Sequence, residues 1–366
     1  MNVNPNQNIN GSFVVSLDYE LRWGIFDACP IEDYRQNLES VSKVIQQLVA
    51  MADKYDIKLT FATVGFMFAK DKEELKRFSP EKKPTYLHKK FNPYPLIDII
   101  GNNEVDDPLH YAYSDIKFIK NNGNHEIGTH TYCHYYCHEM GQTVEQFEDD
   151  IKSAVTIANH SGIEIKSIVF PRNMVESNLE DDIPYLDVCK KYGIESFRGN
   201  QPYIIYDIYT TLPYHDKKIY RVLRLLDSYF KITSHNTYNV IDLNEGMDII
   251  NIPASAFLRP YYKRFRIFEF LKILRIKRAM RNAAKKGELF HLWWHPHNFG
   301  TYTDKNFDNL EAIFKEYKRL NKAYNFKSET MASLSQKIKT HYQTLIILFH
   351  HSLINVENCC LSCLFV

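Results

Sequence analysis

The sequence predicts an α/β fold in which parallel strands and helices alternate to form a barrel or a distorted relative of one. Short apolar runs typical of buried strands recur along the chain, and amphipathic helical segments follow them. Polar residues stand directly after several of these runs. In α/β barrels the carboxyl ends of the strands carry the chemistry, so this placement agrees with the same fold. The rhythm repeats about six or seven times before residue 335.

The strands are predicted from apolar runs bounded by Gly, Pro or polar residues, and the helices from an apolar period of about 3.6 residues. Strands are expected at residues 13–17, 58–64, 125–128, 167–170, 194–197, 247–252 and 288–294. Helices are expected at residues 37–54, 113–121, 144–160, 185–192, 265–286 and 307–320. Residues 69–107 are charged and contain several prolines, which indicates an insertion of loops and one short helix.

A chain of 366 residues is long enough for one large barrel domain. We expect a catalytic domain over residues 12–335. Residues 336–366 do not continue the strand–helix rhythm, and three cysteines lie close together at 359–363. They are therefore interpreted as a C-terminal appendage of unknown structure.

Charge and cysteine content narrow the class of protein. The 45 Lys and Arg residues balance 44 Asp and Glu residues, which argues against nucleic acid as a partner. Seven irregularly spaced cysteines in a chain of this size indicate reduced thiols. The polar N-terminal residues lack a secretory signal, and no uninterrupted apolar run reaches about 18 residues. A cytoplasmic location is therefore expected.

The most informative segment is residues 125–134, which contains His130 and His134. Four-residue spacing on a helical turn would place both imidazoles on one face, where they can bind one metal ion. Asp18 and Glu20 follow the first apolar run, and three further histidines lie at residues 291, 295 and 297. Paired imidazoles and a carboxylate, with a second carboxylate and another histidine nearby, are the components of a metal-dependent hydrolase.

Four segments together resemble the ordered motifs of polysaccharide deacetylases, which form carbohydrate esterase family four and share the nodulation-type deacetylase domain. They are residues 16–20, 126–134, 169–173 and 291–297, and the resemblance extends over residues 12–331. It implies a distorted (β/α)7 barrel of the polysaccharide deacetylase type. It also implies a divalent metal, most often Zn²⁺, and removal of an N-acetyl group from an amino sugar.

The resemblance implies that Glu20, His130 and His134 bind the metal and that Asp18 is the general base. Most family members have Thr-Phe-Asp-Asp-Gly in the first motif, and here Tyr19 stands where the second Asp would be. Family variants with Asp-x-Glu make Glu20 the natural replacement. The assignment of Asp18 and Glu20 between base and metal ligand stays open at this point.

His295 is expected to protonate the departing amine. It is preferred to His291 and His297 because it alone stands at the carboxyl end of the predicted strand. By weak resemblance, Asp227 would orient His295.

Arg172 is expected to pair with Asp18 and keep it ionised, in a motif that reads Pro-Arg-Asn where Arg-Pro-Pro is common. A purely structural salt bridge at Arg172 is the alternative. A backbone N–H near Tyr135 is expected to stabilise the oxyanion.

The sequence therefore predicts a metal-dependent hydrolase that removes N-acetyl groups from an amino-sugar-containing glycan, or a glycan precursor, in surface-polysaccharide biosynthesis. Two alternatives stay open. One is hydrolysis of a non-sugar amide, as in allantoinase-like relatives of the same fold. The other is a catalytically inactive carbohydrate-binding protein.

Residues 263–286 contain ten Lys or Arg residues and one acid, Glu269. The simpler interpretation is a solvated outer helix that packs on the barrel. The alternative is peripheral contact with an anionic membrane surface, or with a phosphorylated glycan carrier, at the inner face of the membrane.

Overall fold

The computed structural model describes residues 10–206 and 218–362, with side chains described up to residue 347. Its strands form one parallel sheet in the order β6-β5-β4-β3-β2-β1-β8-β7, and β9 also pairs with β1. The strands are β1 (Ser12–Tyr19), β2 (Thr60–Thr63), β3 (Glu126–Thr129), β4 (Ser167–Ile168), β5 (Ser196–Phe197), β6 (Ile250–Asn251), β7 (Ala256–Phe257), β8 (Leu289–Trp294) and β9 (Lys327–Glu329).

One continuous segment, residues 250–258, joins the two edges of this sheet. Its first half pairs with β5, and the N–H of Ile252 donates to the carbonyl of Phe197. Its second half pairs with β8, and the N–H of Leu258 donates to the carbonyl of Trp293. Pro253 lies between the two halves. If β6 and β7 are counted as one bent strand, the path has seven positions, so the predicted distorted (β/α)7 barrel is confirmed.

Helices surround the sheet. They are α1 (Arg35–Glu39), α2 (Val41–Lys54), α3 (Lys72–Phe78), α4 (Tyr113–Asn121), α5 (Val144–His160), α6 (Ile183–Lys191), α7 (Lys218–Tyr229), α8 (Val240–Leu243), α9 (Glu269–Lys286), α10 (Thr303–Tyr324) and α11 (Met331–Ser362).

The central strand β1 explains where the core lies. All eight of its residues are buried, because helices or neighbouring strands cover both of its faces. Helix α2 contributes an apolar stripe that includes Val44, Ile45 and Leu48, all inaccessible to solvent. The spacing of these residues is the helical period read from the sequence, so the packing follows directly from the pattern.

Helix α5 shows how closely local sequence can specify an element. It spans the predicted residues 144–160. Thr143 accepts a hydrogen bond from the N–H of Gln146, whose side chain bonds back to Thr143, and this reciprocal cap begins the helix. Gly162 follows its end with a φ of 66°, a conformation that glycine adopts without strain. The predicted helix at 37–54, in contrast, is divided at Ser40 into α1 and α2.

Helix α11 crosses the predicted boundary at residues 335/336 without interruption. Met331, Leu334 and Ile338 are buried in one apolar cluster that also contains Val14 and Ile250 of the barrel. The first turns of α11 are therefore part of the barrel's packing, and the proposed appendage continues a helix of the catalytic domain.

Helix α9 packs on α10 and α7, with Ile273, Ile276 and Met280 facing inward. Ile267 and Phe270, near its beginning, are largely exposed. In the parts of the chain that the structure describes, no helix has the length and apolar character needed to cross a bilayer.

The docking of α11 can be tested with two isoleucines of the same helix. Ile338 is 0% exposed and Ile346 is 58% exposed. We expect Ile338→Ala to lower the free energy of unfolding by about 2–5 kcal/mol, because it leaves a cavity against the barrel. Ile346→Ala should change it by less than about 0.5 kcal/mol. Equal effects in urea denaturation would contradict the docking.

Candidate active site

The parallel sheet gathers its polar side chains at one edge of the barrel. Asp18 lies near the end of β1, and Glu20 follows this strand directly. His130 follows β3, Arg198 follows β5 and His295 follows β8. Since all these strands run in the same direction, their carboxyl ends meet and these five side chains converge.

His134 reaches the site from a loop, so the expected helical turn between the two histidines is wrong. Thr131 and His134 adopt left-handed backbone conformations, with φ of 64° and 59°. The buried carboxylate of Asp150 accepts two successive backbone N–H groups of this loop, at 2.7 and 3.1 Å. The N–H of Tyr135 itself donates to the Thr131 hydroxyl at 2.6 Å, and the expected oxyanion donor near Tyr135 stays a prediction.

The three predicted metal ligands form one buried cluster. Glu20 Oε2 lies 3.3 Å from His130 Nε2 and 3.2 Å from His134 Nε2. His130 Nδ1 bonds to the carbonyl of Val169 at 2.7 Å, and His134 Nδ1 lies 3.2 Å from the Tyr136 hydroxyl. These outer contacts turn both Nε2 atoms towards the carboxylate.

The spacing and protonation of this cluster fit a divalent cation. A tetrahedral site with bonds of about 2.0–2.1 Å has ligand atoms roughly 3.3 Å apart, close to the distances observed. Burial would raise the pKa of Glu20, but the charge of His295 and hydrogen bonds from the two ligand histidines hold it well below its usual value. Burial lowers the pKa of His134, which favours the neutral imidazole that a metal requires.

Asp18 is paired with Arg198, and the predicted pairing with Arg172 is wrong. The two terminal nitrogens of Arg198 donate to the two Asp18 oxygens at 2.7 and 2.8 Å. Arg172 instead binds Asp27 at 2.8 Å and Glu139 at 2.7 Å. Arg172 has a left-handed backbone, with φ of 59°, and its side chain lies against the ring of Tyr136 in the neighbouring loop.

The asparagine of the Pro-Arg-Asn motif supports the Asp18–Arg198 pair. Asn173 Oδ1 accepts from Nε and one terminal nitrogen of Arg198, at 3.1 and 2.9 Å. Ser16 accepts from the other terminal nitrogen at 3.0 Å. Burial would raise the pKa of Asp18, but the charge and hydrogen bonds of Arg198 and the charges of His130 and His295 together outweigh burial, and the pKa is lowered. Asp18 is therefore ionised, and the arrangement places Glu20 rather than Asp18 at the histidine pair.

His295 reaches both carboxylates. Its Nε2 lies 3.7 Å from Asp18 Oδ2 and 3.6 Å from Glu20 Oε1, and its side chain is 24% exposed. Asn298 Nδ2 lies 3.4 Å from His295 Nδ1. The Tyr34 hydroxyl donates to the side-chain oxygen of Asn298 at 2.8 Å. The Asn298 contact lies on the Nδ1 side of the ring and leaves Nε2 facing the carboxylates.

Asp227 does not contact His295, so its predicted orienting role is wrong. Its carboxylate pairs with Arg275 at 2.7 Å and accepts the N–H and the hydroxyl of Thr233. Asp227 belongs to α7, which packs on α9 outside the barrel. It therefore ties two outer helices together.

The converging residues line a cavity of about 410 Å³, and Glu20, Phe257 and His295 also line a second cavity of about 760 Å³. Tyr34, Tyr261, Tyr262 and Tyr302 lie along the second cavity. Gly24 borders both cavities, and a Cβ atom there would lie only 1.9 Å from the Glu20 carboxyl carbon. The absence of a side chain at Gly24 therefore makes room for the Glu20 carboxylate.

Comparison with known proteins agrees with this site. The family model for polysaccharide deacetylase matches residues 23–194, which include both ligand histidines. Just under half of the chain, 172 of 366 residues, therefore matches the polysaccharide deacetylase family. Asp18, Glu20 and His295 lie outside the matched residues, and the barrel brings them to the histidines. A search of curated proteins finds no significant match.

Solved structures show the same fold as this chain. A crystal structure described as a polysaccharide deacetylase from Mycobacterium smegmatis superposes with a TM-score of 0.54 at 11% identity, over 93% of both chains. The crystal structure of Puue allantoinase superposes with a TM-score of 0.50 at 12% identity, over 94% of both chains. At such low identity these likenesses establish the fold alone.

The Asp18–Arg198 pair can be tested by a double-mutant cycle. Arg198→Met should lower the free energy of unfolding by about 3–5 kcal/mol, because it leaves Asp18 buried without its countercharge. Asp18→Asn combined with Arg198→Met should be less destabilising than the sum of the single changes by about 1 kcal/mol or more. Additive effects in chemical denaturation would contradict a direct interaction.

Buried His291 predicts a dependence of stability on pH. Its Nδ1 donates to the carbonyl of Ile252 at 2.9 Å, and the Ser16 hydroxyl bonds to its Nε2 at 2.8 Å. Burial and the nearby Arg198 charge lower its pKa to about 3. Unfolded histidine takes up a proton below about pH 6.5 and folded His291 does not, so stability should fall as the pH drops from about 6.5 towards 3.

The loss attributable to His291 should reach up to about 5 kcal/mol across that window. Unfolding free energies measured between pH 8 and pH 5 should fall less steeply for His291→Gln than for the wild type. An unchanged pH slope in this variant would show that His291 is not held neutral.

Proposed function

We propose that this chain is a metal-dependent N-deacetylase that acts on an amino-sugar-containing glycan or glycan precursor. The observation that carries the proposal is the convergence of the Glu20, His130 and His134 cluster with Asp18 and His295 in one cavity. The match to the polysaccharide deacetylase family supports the reaction class. The three-ligand cluster would hold the divalent ion, with Zn²⁺ favoured by its two imidazoles and one carboxylate.

When bound, the cation would lower the pKa of a water molecule and polarise the acetyl carbonyl. The chain's own groups account for the proton movements. Asp18 is ionised because Arg198 compensates its charge, so it can accept the proton that water loses as it attacks the carbonyl carbon. Arg198 then retains its bidentate contact and keeps the carboxyl group oriented.

His295 completes the reaction. As the imidazolium, it can deliver its Nε2 proton to the amide nitrogen as the carbon–nitrogen bond breaks, which leaves a neutral imidazole. The oxygen of water ends in acetate, and the nitrogen leaves as the free amine of the sugar. Its partial exposure distinguishes His295 from His291 and His297, which are buried beside the site.

The size and lining of the cleft favour a glycan over a small cyclic amide. Cavities of about 410 and 760 Å³ adjoin at Glu20 and His295, and each is within the roughly 300–1,000 Å³ of pockets that hold one drug-sized ligand, so together they have room for more than one sugar ring. Tyrosine rings along one side offer apolar faces with hydroxyl groups, which suit sugar rings. The variant Asp-x-Glu motif resembles that of deacetylases in surface-polysaccharide assembly, and this supports that biosynthetic role.

The proposal is tested by acetate release from N-acetylated oligosaccharides, with metal content measured on the same samples. We expect about one divalent ion per chain and acetate release by the wild type. Asp18→Asn should keep the metal and lose about 10²- to 10⁴-fold in rate, the usual contribution of a general base. His130→Ala combined with His134→Ala should lose the metal and the activity.

His160→Ala is the control, because His160 lies on the exposed side of α5 and should retain metal and activity. Turnover of cyclic amides without acetate release from sugars would favour an allantoinase-like hydrolase. Metal and sugar binding with no turnover of either substrate would favour an inactive carbohydrate-binding protein. Acetate release by Asp18→Asn at the wild-type rate would remove Asp18 from the mechanism.

A further inference from the structure

Arg259 is a cation without an acidic partner in the cavity of the candidate site, and its guanidinium lies 5.7 Å from the centre of the Phe257 ring. It lines the 410 Å³ cavity together with Asp18, Glu20 and His295. Within residues 10–206 and 218–347 no acidic side chain pairs with it, and its buried Nε has no hydrogen-bond partner. A guanidinium on a cavity wall with no acidic partner can bind an anion that enters the cavity.

The carboxylates of this cavity are already matched to other groups. Asp18 binds Arg198 and Asp27 binds Arg172. Glu20 faces the two ligand histidines. Arg259 therefore remains as an uncompensated positive charge on the wall of the cleft.

The backbone fixes Arg259 beside the chemistry. Phe257 of β7 pairs in register with Trp293 of β8, and Arg259 and His295 each stand two residues farther along. The buried Lys272 donates to the carbonyl of Arg259 at 2.9 Å, which anchors the segment. An anion held by Arg259 would thus lie next to the proton donor of the reaction.

We propose that Arg259 forms a subsite for an oxyanion group, a phosphate or a carboxylate, carried by the N-acetylated substrate. A guanidinium can donate two parallel hydrogen bonds to either group. The inference rests on the proposed deacetylase function and specifies its substrate class as an anionic amino-sugar compound. The two sources are a sugar phosphate and an adjacent uronic acid.

The test measures binding by calorimetry to metal-loaded Asp18→Asn, in which turnover is expected to be about 10²- to 10⁴-fold slower. The probes are N-acetylglucosamine 1-phosphate, a disaccharide of glucuronic acid and N-acetylglucosamine, and the neutral N-acetylglucosamine disaccharide. We expect at least one anionic probe to bind about 10- to 100-fold more tightly than the neutral one, with affinity that falls as salt rises. The preferred anionic probe identifies the source of the charge.

Arg259→Gln in this background should abolish the preference and leave binding of the neutral disaccharide unchanged. Arg264→Gln is the matched control, since Arg264 is exposed and borders only the neighbouring cavity. It changes the net charge equally and should preserve the preference. If Arg259→Gln does not fold, Arg259→Lys should fold and keep part of the preference, because it retains the charge but not the bidentate geometry.

Equal affinity for charged and neutral probes, no binding of either anionic probe, or equal losses in both glutamine variants would overturn the subsite. Acetate release by the wild-type enzyme without anionic preference would remove the subsite and leave the deacetylase function standing. Anion-dependent binding without acetate release would leave the subsite standing and remove the deacetylase function.

Discussion

Asp18 and Glu20 are two residues apart and both are buried, and the rest of the site depends on how their negative charges are compensated. Asp18 and Glu20 could not stay ionised in the barrel without separate sources of positive charge. Arg198 compensates Asp18 through a bidentate contact. The imidazoles of His130 and His134, with the cation that they can hold, compensate Glu20. This division of partners supports the proposed roles of Asp18 as the base and Glu20 as the metal ligand.

The barrel makes that division possible, because each partner comes from a different strand end. Arg198 arrives from β5, His130 from β3 and His295 from β8, while β1 carries both acids. The bent segment 250–258 closes the ring and brings Arg259 beside His295. A small shift of register at any of these strands would separate groups that now lie within 4 Å of one another.

Much of this architecture was predictable, because parallel strands are continuous apolar runs and their functional residues stand at their ends. The rule for strand ends predicted Asp18, Glu20 and His295, and the histidine motif predicted both imidazole ligands. The same rule would have found Arg198, which directly follows the predicted strand at 194–197. The pairing with Asp18 was predicted for Arg172 instead, because Arg172 lies in the motif where the family usually has an arginine.

The remaining errors concern side-chain direction, which sequence spacing does not determine. Left-handed residues at Thr131, His134 and Arg172 redirect three side chains in ways that no helical or strand period anticipates. Asp227 was placed at the site by motif order alone, but its helix lies outside the barrel. Zinc as the metal, a cytoplasmic location and membrane contact by residues 263–286 remain predictions from the sequence.

The most direct measurement is anomalous diffraction at the zinc edge from crystals of the wild-type chain grown with Zn²⁺. The account predicts one strong peak within about 2.0–2.3 Å of a Glu20 oxygen and of Nε2 of both His130 and His134, with Asp18 still bound to Arg198. No peak among these three side chains, or a peak coordinated by Asp18 in place of Glu20, would contradict it.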